Sequence, residues 1–259
     1  RPPRSTPLYS SAASDVYKRQ VSMTKLSVNI NKIATLRNAR GLSNPNVIQM
    51  AQDCERFGAD GITIHPRPDE RHITTQDAYD LSRVITTEYN IEGYPNARFV
   101  QLIKDLKPDQ VTLVPDPPDI LTSNKGWDTV KNKDFLVEII QELRLSGARI
   151  SIFCNPDIFM VEGAAQITAD RIELYTGRYA NDFIQNPKKA LSSFITAAGL
   201  AKKIGLDVNA GHDLNLQNLK YLKKGIPFLA EVSIGHALIC DSLYYGIENT
   251  IQMYKRQLQ

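Results

Sequence analysis

Two hydrophobic patterns alternate along the chain: short apolar runs rich in Ile, Leu and Val, and longer runs with a single apolar face. The short runs predict eight β-strands, at 26–30, 61–64, 90–93, 110–114, 149–153, 171–175, 206–210 and 229–234. The longer runs predict the helices between them, at 31–41, 46–57, 75–85, 97–106, 135–145, 159–165, 187–204, 216–224 and 237–257.

Strands that alternate with helices in this way predict a (β/α)₈ TIM barrel with additional short helices. Gly58, Gly147 and Gly205 end helices that lead into strands. The structural alternative is a doubly wound open sheet, which is weakened because no Gly-rich dinucleotide motif follows the first strand. The loop 115–133, after the fourth strand, is long enough to predict a functional lid.

The composition, with 42% hydrophobic and 23% charged residues, suits one large domain, which we place at 21–259. Residues 1–20 show no apolar period, so we expect a non-native or disordered leader there. This leader carries four basic residues and one acidic residue, a net charge of +3 that equals the charge of the whole chain. The body is therefore formally neutral, and its charge gives no reason to expect nucleic-acid binding.

The cysteines and the apolar runs indicate the compartment in which the protein is expected. Cys54, Cys154 and Cys240 are odd in number and far apart, which favours neither a disulfide framework nor a zinc knuckle. A reducing cytoplasm is the expected compartment. No apolar run approaches the roughly 18 residues of a membrane span, so we expect no membrane partner.

Three of the four histidines directly follow predicted strands, or follow a glycine that does: His65, His212 and His236. The fourth, His72, lies in the loop after the second strand. Because the carboxyl ends of barrel strands share one face, where substrates bind, we expect these histidines to meet in one site. Unrelated surface or core histidines would seldom show this placement.

Two carboxylates interrupt apolar strands, Glu92 in the third and Glu173 in the sixth. Burying an isolated carboxylate is costly, so each must face the barrel mouth or be paired. In the mouth, a carboxyl group with a raised pKa is suited to general-base catalysis near neutral pH. The alternative for both residues is a structural ion pair.

Several residues predict phosphate binding. Arg67 lies between two prolines in the loop after the second strand, and Gly211 and Gly235 lie after the seventh and eighth strands. Arginine forks bind phosphate, and small residues let the backbone approach an anion near a helix start. The alternative for the glycines is that they only make tight turns.

These residues belong to motifs that resemble the pyridoxine 5′-phosphate synthase (PdxJ) family, from about residue 26 to the C-terminus. The motifs are Asn29-Ile30, 33–41, 58–73, Asn90-Ile91-Glu92, Leu113-Val114-Pro115, Ile172-Glu173, Thr176-Gly177, 209–212 and 234–237. The resemblance implies a (β/α)₈ barrel that joins 3-amino-2-oxopropyl phosphate to 1-deoxy-D-xylulose 5-phosphate. Inorganic phosphate and water are released, and no redox cofactor and no metal are required. It also implies a homo-octamer built from dimers.

The resemblance implies a role for each site residue. His65 and Glu92 would be general bases, His212 a general acid, and Glu173 a stabiliser of charge in the transition states. The aminoketone phosphate would be held by Asn29, Arg40, Gly235 and His236, and the pentulose phosphate by Arg67, His72 and Thr122. Asn31 and Lys32, where the family often has Asp-His, are further candidates for the pentulose. Asp213 joins the substrate-binding set, although a glycine commonly stands there in the family.

Two rival functions remain open. A metal-dependent barrel enzyme, such as a sugar-phosphate epimerase, would use His65, His212, His236 and Glu92 as ligands. A non-catalytic protein would only bind a phosphorylated B6 vitamer. The presence of His65, Glu92 and His212 argues against this second rival, since binding alone needs no acid–base set.

Overall fold

The structure, a computed structural model, describes residues 23–116 and 125–259. Eight parallel strands close into a barrel in chain order, which confirms the predicted fold. The strands are β1 Lys25–Asn29, β2 Gly61–Ile64, β3 Glu88–Gly93, β4 Gln110–Leu113, β5 Arg149–Cys154, β6 Arg171–Tyr175, β7 Asp207–Gly211 and β8 Glu231–Ile234. The predicted leader, 1–20, and the predicted substrate ligand Thr122 lie outside the described residues.

Helices surround this barrel. In the described part of the chain they are α1 Asn31–Arg40, α2 Val47–Arg56, α3 Thr75–Ser82, α4 Ala97–Leu106, α5 Lys133–Arg144, α6 Ile158–Gln166, α7 Gly177–Phe183, α8 Pro187–Lys203, α9 Leu219–Gly225, α10 His236–Tyr245 and α11 Ile247–Gln257. None of them combines the length and the apolar character that crossing a membrane requires.

The strands alternate between an outer apolar row and an inner polar row. In β1, Leu26 and Val28 are fully buried in the apolar cluster that the strands share with the helices. Ser27 lies between them on the inner face, where its hydroxyl is 2.7 Å from the hydroxyl of Thr63 on β2. Because successive side chains point to opposite faces of a strand, the apolar residues of each strand lie on the outside of the barrel and the polar residues line its interior.

The barrel interior is polar, unlike the layers of branched apolar residues that usually fill such barrels. The Gln110 side chain of β4 donates a hydrogen bond of 3.4 Å across the barrel to Glu231 of β8. Near the amino ends of the strands, Glu88 contacts Lys25 at 3.0 Å and Arg171 at 3.6 Å. Burial and the Glu88 carboxylate raise the pKa of Glu231 to about 8. The interior therefore carries titratable groups well below the mouth.

Two helix predictions need correction. The predicted helix 237–257 is two helices, because Gly246 adopts φ 75° and ψ 148°, a conformation that favours glycine and stops a helix. Helix α7 was not predicted, because its amphipathic pattern is too short to identify from the sequence. Its Tyr179 is nevertheless fully buried, and the Tyr179 ring packs 5.7 Å from the ring of Phe194.

Strand β3 starts earlier than predicted, since Glu88 pairs in register with Gly61.

Candidate active site

The carboxyl ends of β1, β2 and β3 place three predicted residues side by side. The Nδ1 atom of His65 lies 3.9 Å from Oε2 of Glu92, and Nδ2 of Asn29 lies 3.5 Å from the same oxygen. Hydrogen bonds from backbone amides to asparagine side chains fix this arrangement. The His65 amide donates to Oδ1 of Asn31 at 2.9 Å, and the Asn31 amide donates to Oδ1 of Asn29 at 3.1 Å. Asn31 therefore holds the start of the β2–α3 loop against β1.

Glu92 is nearly buried, with 13% of its side chain exposed. Burial raises the pKa of its carboxyl group to about 7, against the opposing influence of the His212 charge and the Ser233 hydroxyl. The Ser233 Oγ atom donates from β8 at 3.5 Å. Within the described residues no Lys or Arg forms an ion pair with Glu92, so a structural ion pair does not explain this carboxylate.

The two histidines of the β2–α3 loop region have lowered pKa values. Burial lowers the pKa of His65 well below its usual range, and the charges of Arg67 and His72 add to this effect. Burial, Arg67 and Lys32 lower the pKa of His72 to about 4, and the His72 Nδ1 atom accepts a hydrogen bond from the Ile73 amide at 2.9 Å. Both imidazoles are thus neutral at pH 7 and sit in a cationic environment that suits anions.

A buried ion pair forms the wall beside these histidines. Arg67, 4% exposed, lies 3.1 Å from Oδ2 of Asp116, which is 5% exposed and follows β4. Both line an open cavity of about 420 Å³ together with His65, Tyr94 and Arg98. Asp116 was not predicted from the sequence, although it is a polar residue shortly after the end of a strand, the same signal that identified His65.

The β2–α3 loop is held from two sides. From α4, Arg98 donates to the Arg67 carbonyl at 3.4 Å and to the Glu70 carboxylate at 2.7 Å. From α1, the Asn38 side chain donates to the His72 carbonyl at 2.8 Å. Glu70 itself has φ 51°, a left-handed conformation that these bonds stabilise. The loop that carries Arg67 and His72 therefore has a fixed backbone.

Glu173 lies on β6 and is buried, with 3% of its surface exposed. Burial and the charges of Glu92 and Glu231 raise its pKa well above the usual range. Among the described residues no side chain hydrogen-bonds to it or pairs with it. A Cβ atom on the neighbouring Gly211 would lie 2.0 Å from its Oε1 atom, so the carboxyl group rests against this glycine. This environment favours the protonated form of Glu173.

The turn after β7 places His212 beside its sequence neighbour. Nδ1 of His212 lies 2.9 Å from Oδ2 of Asp213, and the His212 ring meets Tyr175 edge-on at 5.1 Å. Both His212 and Asp213 are left-handed, with φ 87° and 58°. The side chain of His236, the first residue of α10, lies 3.7 Å from the Cys240 sulfur. The His236 charge also helps to lower the pKa of Asp213, for which the hydrogen bond to His212 is the largest cause.

The remaining predicted substrate ligands, Gly235, Lys32 and Arg40, occupy different positions in the barrel fold. Gly235 packs tightly on β1, since an added Cβ would lie 3.1 Å from the Asn29 Cβ atom. Lys32 is exposed on the first turn of α1, and its charge reaches His72. Arg40 is exposed at the end of α1 and makes no ion pair or hydrogen bond within the described residues. The structure therefore does not connect Arg40 to the other site residues.

The metal-enzyme rival predicts a cluster of ligands. Across residues 23–116 and 125–259, no group of three or more His, Cys, Asp or Glu side chains is arranged to hold a metal ion. Instead, His65 lies 3.9 Å from Glu92, and the charge of His212 acts on the same carboxyl group. This arrangement suits proton transfer.

Solved structures of other proteins share this fold. The barrel is similar to a tryptophan synthase structure from Mycobacterium tuberculosis, with TM-score 0.63, 11% identity, and coverage of 93% of this chain and 94% of that one. A thiamine phosphate pyrophosphorylase from Pyrococcus furiosus gives TM-score 0.57 at 11% identity, with 91% and 95% coverage. At this identity the similarity shows the fold alone.

Sequence relatives are much more similar. A pyridoxine 5′-phosphate synthase from Cytophaga hutchinsonii is 62% identical over 237 residues, which are 92% of this chain and 100% of that protein. One from Bacteroides fragilis is 58% identical with the same coverage. The family model described as pyridoxal phosphate biosynthesis protein PdxJ matches residues 26–259. The chain therefore belongs to the PdxJ family of pyridoxal phosphate biosynthesis proteins.

Proposed function

We propose that the chain is a pyridoxine 5′-phosphate synthase. It joins 3-amino-2-oxopropyl phosphate to 1-deoxy-D-xylulose 5-phosphate and releases pyridoxine 5′-phosphate, inorganic phosphate and water. Family membership and the names of the relatives support this reaction. The observation that carries the proposal is the pair formed by neutral His65 and Glu92, whose pKa is about 7, at the mouth of the barrel.

The reaction consists mainly of proton transfers. Imine formation, dehydration, tautomerisation and ring closure each need a proton removed from one atom and delivered to another. His65 and Glu92 take the role of general bases, because the lowered pKa of His65 keeps its imidazole neutral and the pKa of Glu92 is about 7. His212 takes the role of general acid on the opposite side of the mouth.

Glu173 has a different role, which follows from its protonation state. Burial and the neighbouring carboxylates raise the pKa of Glu173, which favours the protonated carboxyl group, and this form can donate a hydrogen bond. It stabilises negative charge that develops on a substrate oxygen by donating this bond. A carboxylate in the same place would oppose such charge.

Substrate binding is divided between two sides of the mouth. The pentulose phosphate is assigned to Arg67 and His72, with Asn31, Lys32 and Thr122 as further ligands. The aminoketone phosphate is assigned to Asn29, Arg40, Asp213, Gly235 and His236. The start of α10 supports this side, since no side chain caps the helix and its first N–H groups can bind an anion.

We further propose that the enzyme is a cytoplasmic homo-octamer that requires no cofactor and contacts neither membrane nor nucleic acid. Three free cysteines support the reducing compartment. An apolar surface supports assembly: helices α1 and α10 pack together and expose Leu36, Leu243 and Tyr244 by 54%, 73% and 86%. Light scattering at micromolar concentration tests this, and a monomer would refute it.

The direct test of the reaction is incubation of the purified protein with both phosphates. Mass spectrometry should detect pyridoxine 5′-phosphate, and a colorimetric assay should detect an equal amount of inorganic phosphate. Omission of either substrate is the control and should abolish both signals. Phosphate release without pyridoxine 5′-phosphate, or no turnover in metal-free buffer with turnover restored by a divalent metal, would contradict the proposal.

A further inference from the structure

The turn after β7 contains a contact that the roles above do not use. Asp213 was assigned to substrate binding, but its carboxylate lies 2.9 Å from Nδ1 of His212. An ionised carboxylate can only accept a hydrogen bond, so the Nδ1 atom must carry the hydrogen. As the general acid, the imidazolium carries hydrogen on both ring nitrogens, gives its Nε2 hydrogen to the substrate and is left as the Nδ1–H tautomer.

The backbone on which this pair sits is fixed. The Thr176 hydroxyl lies 2.6 Å from the Gly211 carbonyl oxygen and also reaches the His212 carbonyl. The Asn218 side chain, 2% exposed, donates to the Asp213 carbonyl at 3.2 Å. These bonds hold His212 and Asp213 in their left-handed conformations, which brings two consecutive side chains together.

We propose that the carboxylate of Asp213 is a positioning group that fixes the tautomer and ring orientation of His212, so that any contact of Asp213 with the aminoketone phosphate is made by its backbone. This inference rests on the proposed function, in which His212 is the general acid. A carboxylate that orients a histidine through Nδ1 is a recurrent arrangement in acid–base catalysis. The lowered pKa of Asp213 agrees with it, because a carboxylate that accepts this bond is favoured over its protonated form.

The left-handed backbone at position 213 can accommodate the variants that test this proposal, so they should fold normally. Glycine and asparagine tolerate φ 58° better than other residues, so Asp213→Gly and Asp213→Asn relieve strain or leave it unchanged. Asp53→Asn is the matched control, since Asp53 is paired with Arg56 on the outside of α2. The control should retain turnover, binding and melting temperature.

Turnover and binding separate positioning from substrate contact. Asp213→Gly should lower kcat by roughly tenfold to a hundredfold, with Asp213→Asn less affected, because the imidazole loses its orienting partner. The dissociation constants of both substrate phosphates, measured by calorimetry, should change less than about twofold. Added formate should restore part of the kcat of Asp213→Gly by replacing the lost carboxylate.

A spectroscopic measurement does not depend on turnover. Histidine-selective ¹⁵N NMR, with the His212 signal assigned by its loss in His212→Asn, should show that the neutral imidazole is the Nδ1–H tautomer in the native protein and a tautomer mixture in Asp213→Gly. Unchanged kcat in both Asp213 variants would overturn the proposal. Weaker aminoketone-phosphate binding with normal kcat would also overturn it, in favour of a substrate ligand. Full turnover in His212→Asn would instead show that the general-acid assignment is wrong.

Discussion

The Nδ1 atom of His65 lies 3.9 Å from Oε2 of Glu92, so an imidazole and a carboxyl group from neighbouring strands share one corner of the barrel mouth. Burial shifts their pKa values in opposite directions, raising that of Glu92 to about 7 and lowering that of His65 well below its usual range. Groups this close titrate as a pair. The pair therefore supplies a proton acceptor at neutral pH.

The pH dependence of turnover follows from this contact. Since the base must be ionised, kcat/KM should fall as the pH drops through about 7, where Glu92 becomes protonated. Ser233→Ala removes the hydroxyl that stabilises the carboxylate, so the midpoint should move to higher pH. Ser82→Ala on α3 is the control. A midpoint that stays in place in Ser233→Ala would contradict the assignment of this limb to Glu92.

Gly211 should be intolerant of any side chain. A Cβ atom there would lie 2.0 Å from the Glu173 carboxyl oxygen, so Gly211→Ala should displace Glu173 and lower kcat at least tenfold, by roughly 1.4 kcal/mol in the barrier. Gly199→Ala, in the middle of α8 with no atom within 4 Å, makes the same chemical change as a control. It should keep turnover and stabilise the protein by about 0.5–1 kcal/mol. Equal turnover in both variants would argue against a role for Glu173.

Arg67 should control affinity for one substrate. Arg67→Ala removes a charge-assisted phosphate contact together with the buried ion pair to Asp116. The dissociation constant of the pentulose phosphate should rise at least tenfold, while that of the aminoketone phosphate changes little. Quenching of Trp127, the single tryptophan of the chain, can report binding, because its ring stacks on Tyr94 in the cavity wall.

The control for this variant is Arg83→Ala, whose guanidinium pairs with Asp80 on the outer surface of α3. It should bind both phosphates normally. Equal weakening of both substrates in Arg67→Ala would show a general loss of structure, and no weakening would remove Arg67 from the pentulose site.

The raised pKa of Glu231 should make the stability of the folded protein depend on pH. Its pKa is about 8 in the folded protein and about 4.5 when unfolded, so the folded state binds the extra proton between these values. The free energy of unfolding should therefore decrease as the pH rises from about 5 to 8. Glu231→Gln mimics the protonated form and should reduce this loss by of the order of 1–2 kcal/mol in urea titrations. Exposed Glu138→Gln should leave the slope unchanged, and the same slope in Glu231→Gln would refute the raised pKa.

The sequence predicted the fold through short-range regularities. The strands could be located because Leu26, Val28 and their equivalents are apolar on the outer face of the barrel. The polar interior of the barrel was harder to predict, since inner residues such as Ser27 and Gln110 occur in the sequence as single polar residues within apolar runs. The break at Gly246 also escaped prediction, because one glycine inside a helical pattern is often tolerated.

The site was predictable where a residue's position relative to a strand end was enough. His65 and His212 were found by this rule, and Asp116 would have been found by applying it to β4. The bond between His212 and Asp213 could not be predicted, because it depends on two consecutive left-handed residues that no propensity favours. The positions of Arg40 and Thr122 in the assembled site stay predictions.

The most direct measurement concerns Glu92. Glu92→Gln keeps the size of the side chain and removes the base, so kcat should fall by roughly 10²–10⁴ while the dissociation constants of both phosphates change little. Turnover and calorimetric binding are measured at pH 8, where native Glu92 is ionised, and metal content is recorded for both proteins. Loss of turnover with intact binding and unchanged metal content is the predicted result. Full turnover, or loss of activity together with a bound metal, would contradict acid–base catalysis by this residue.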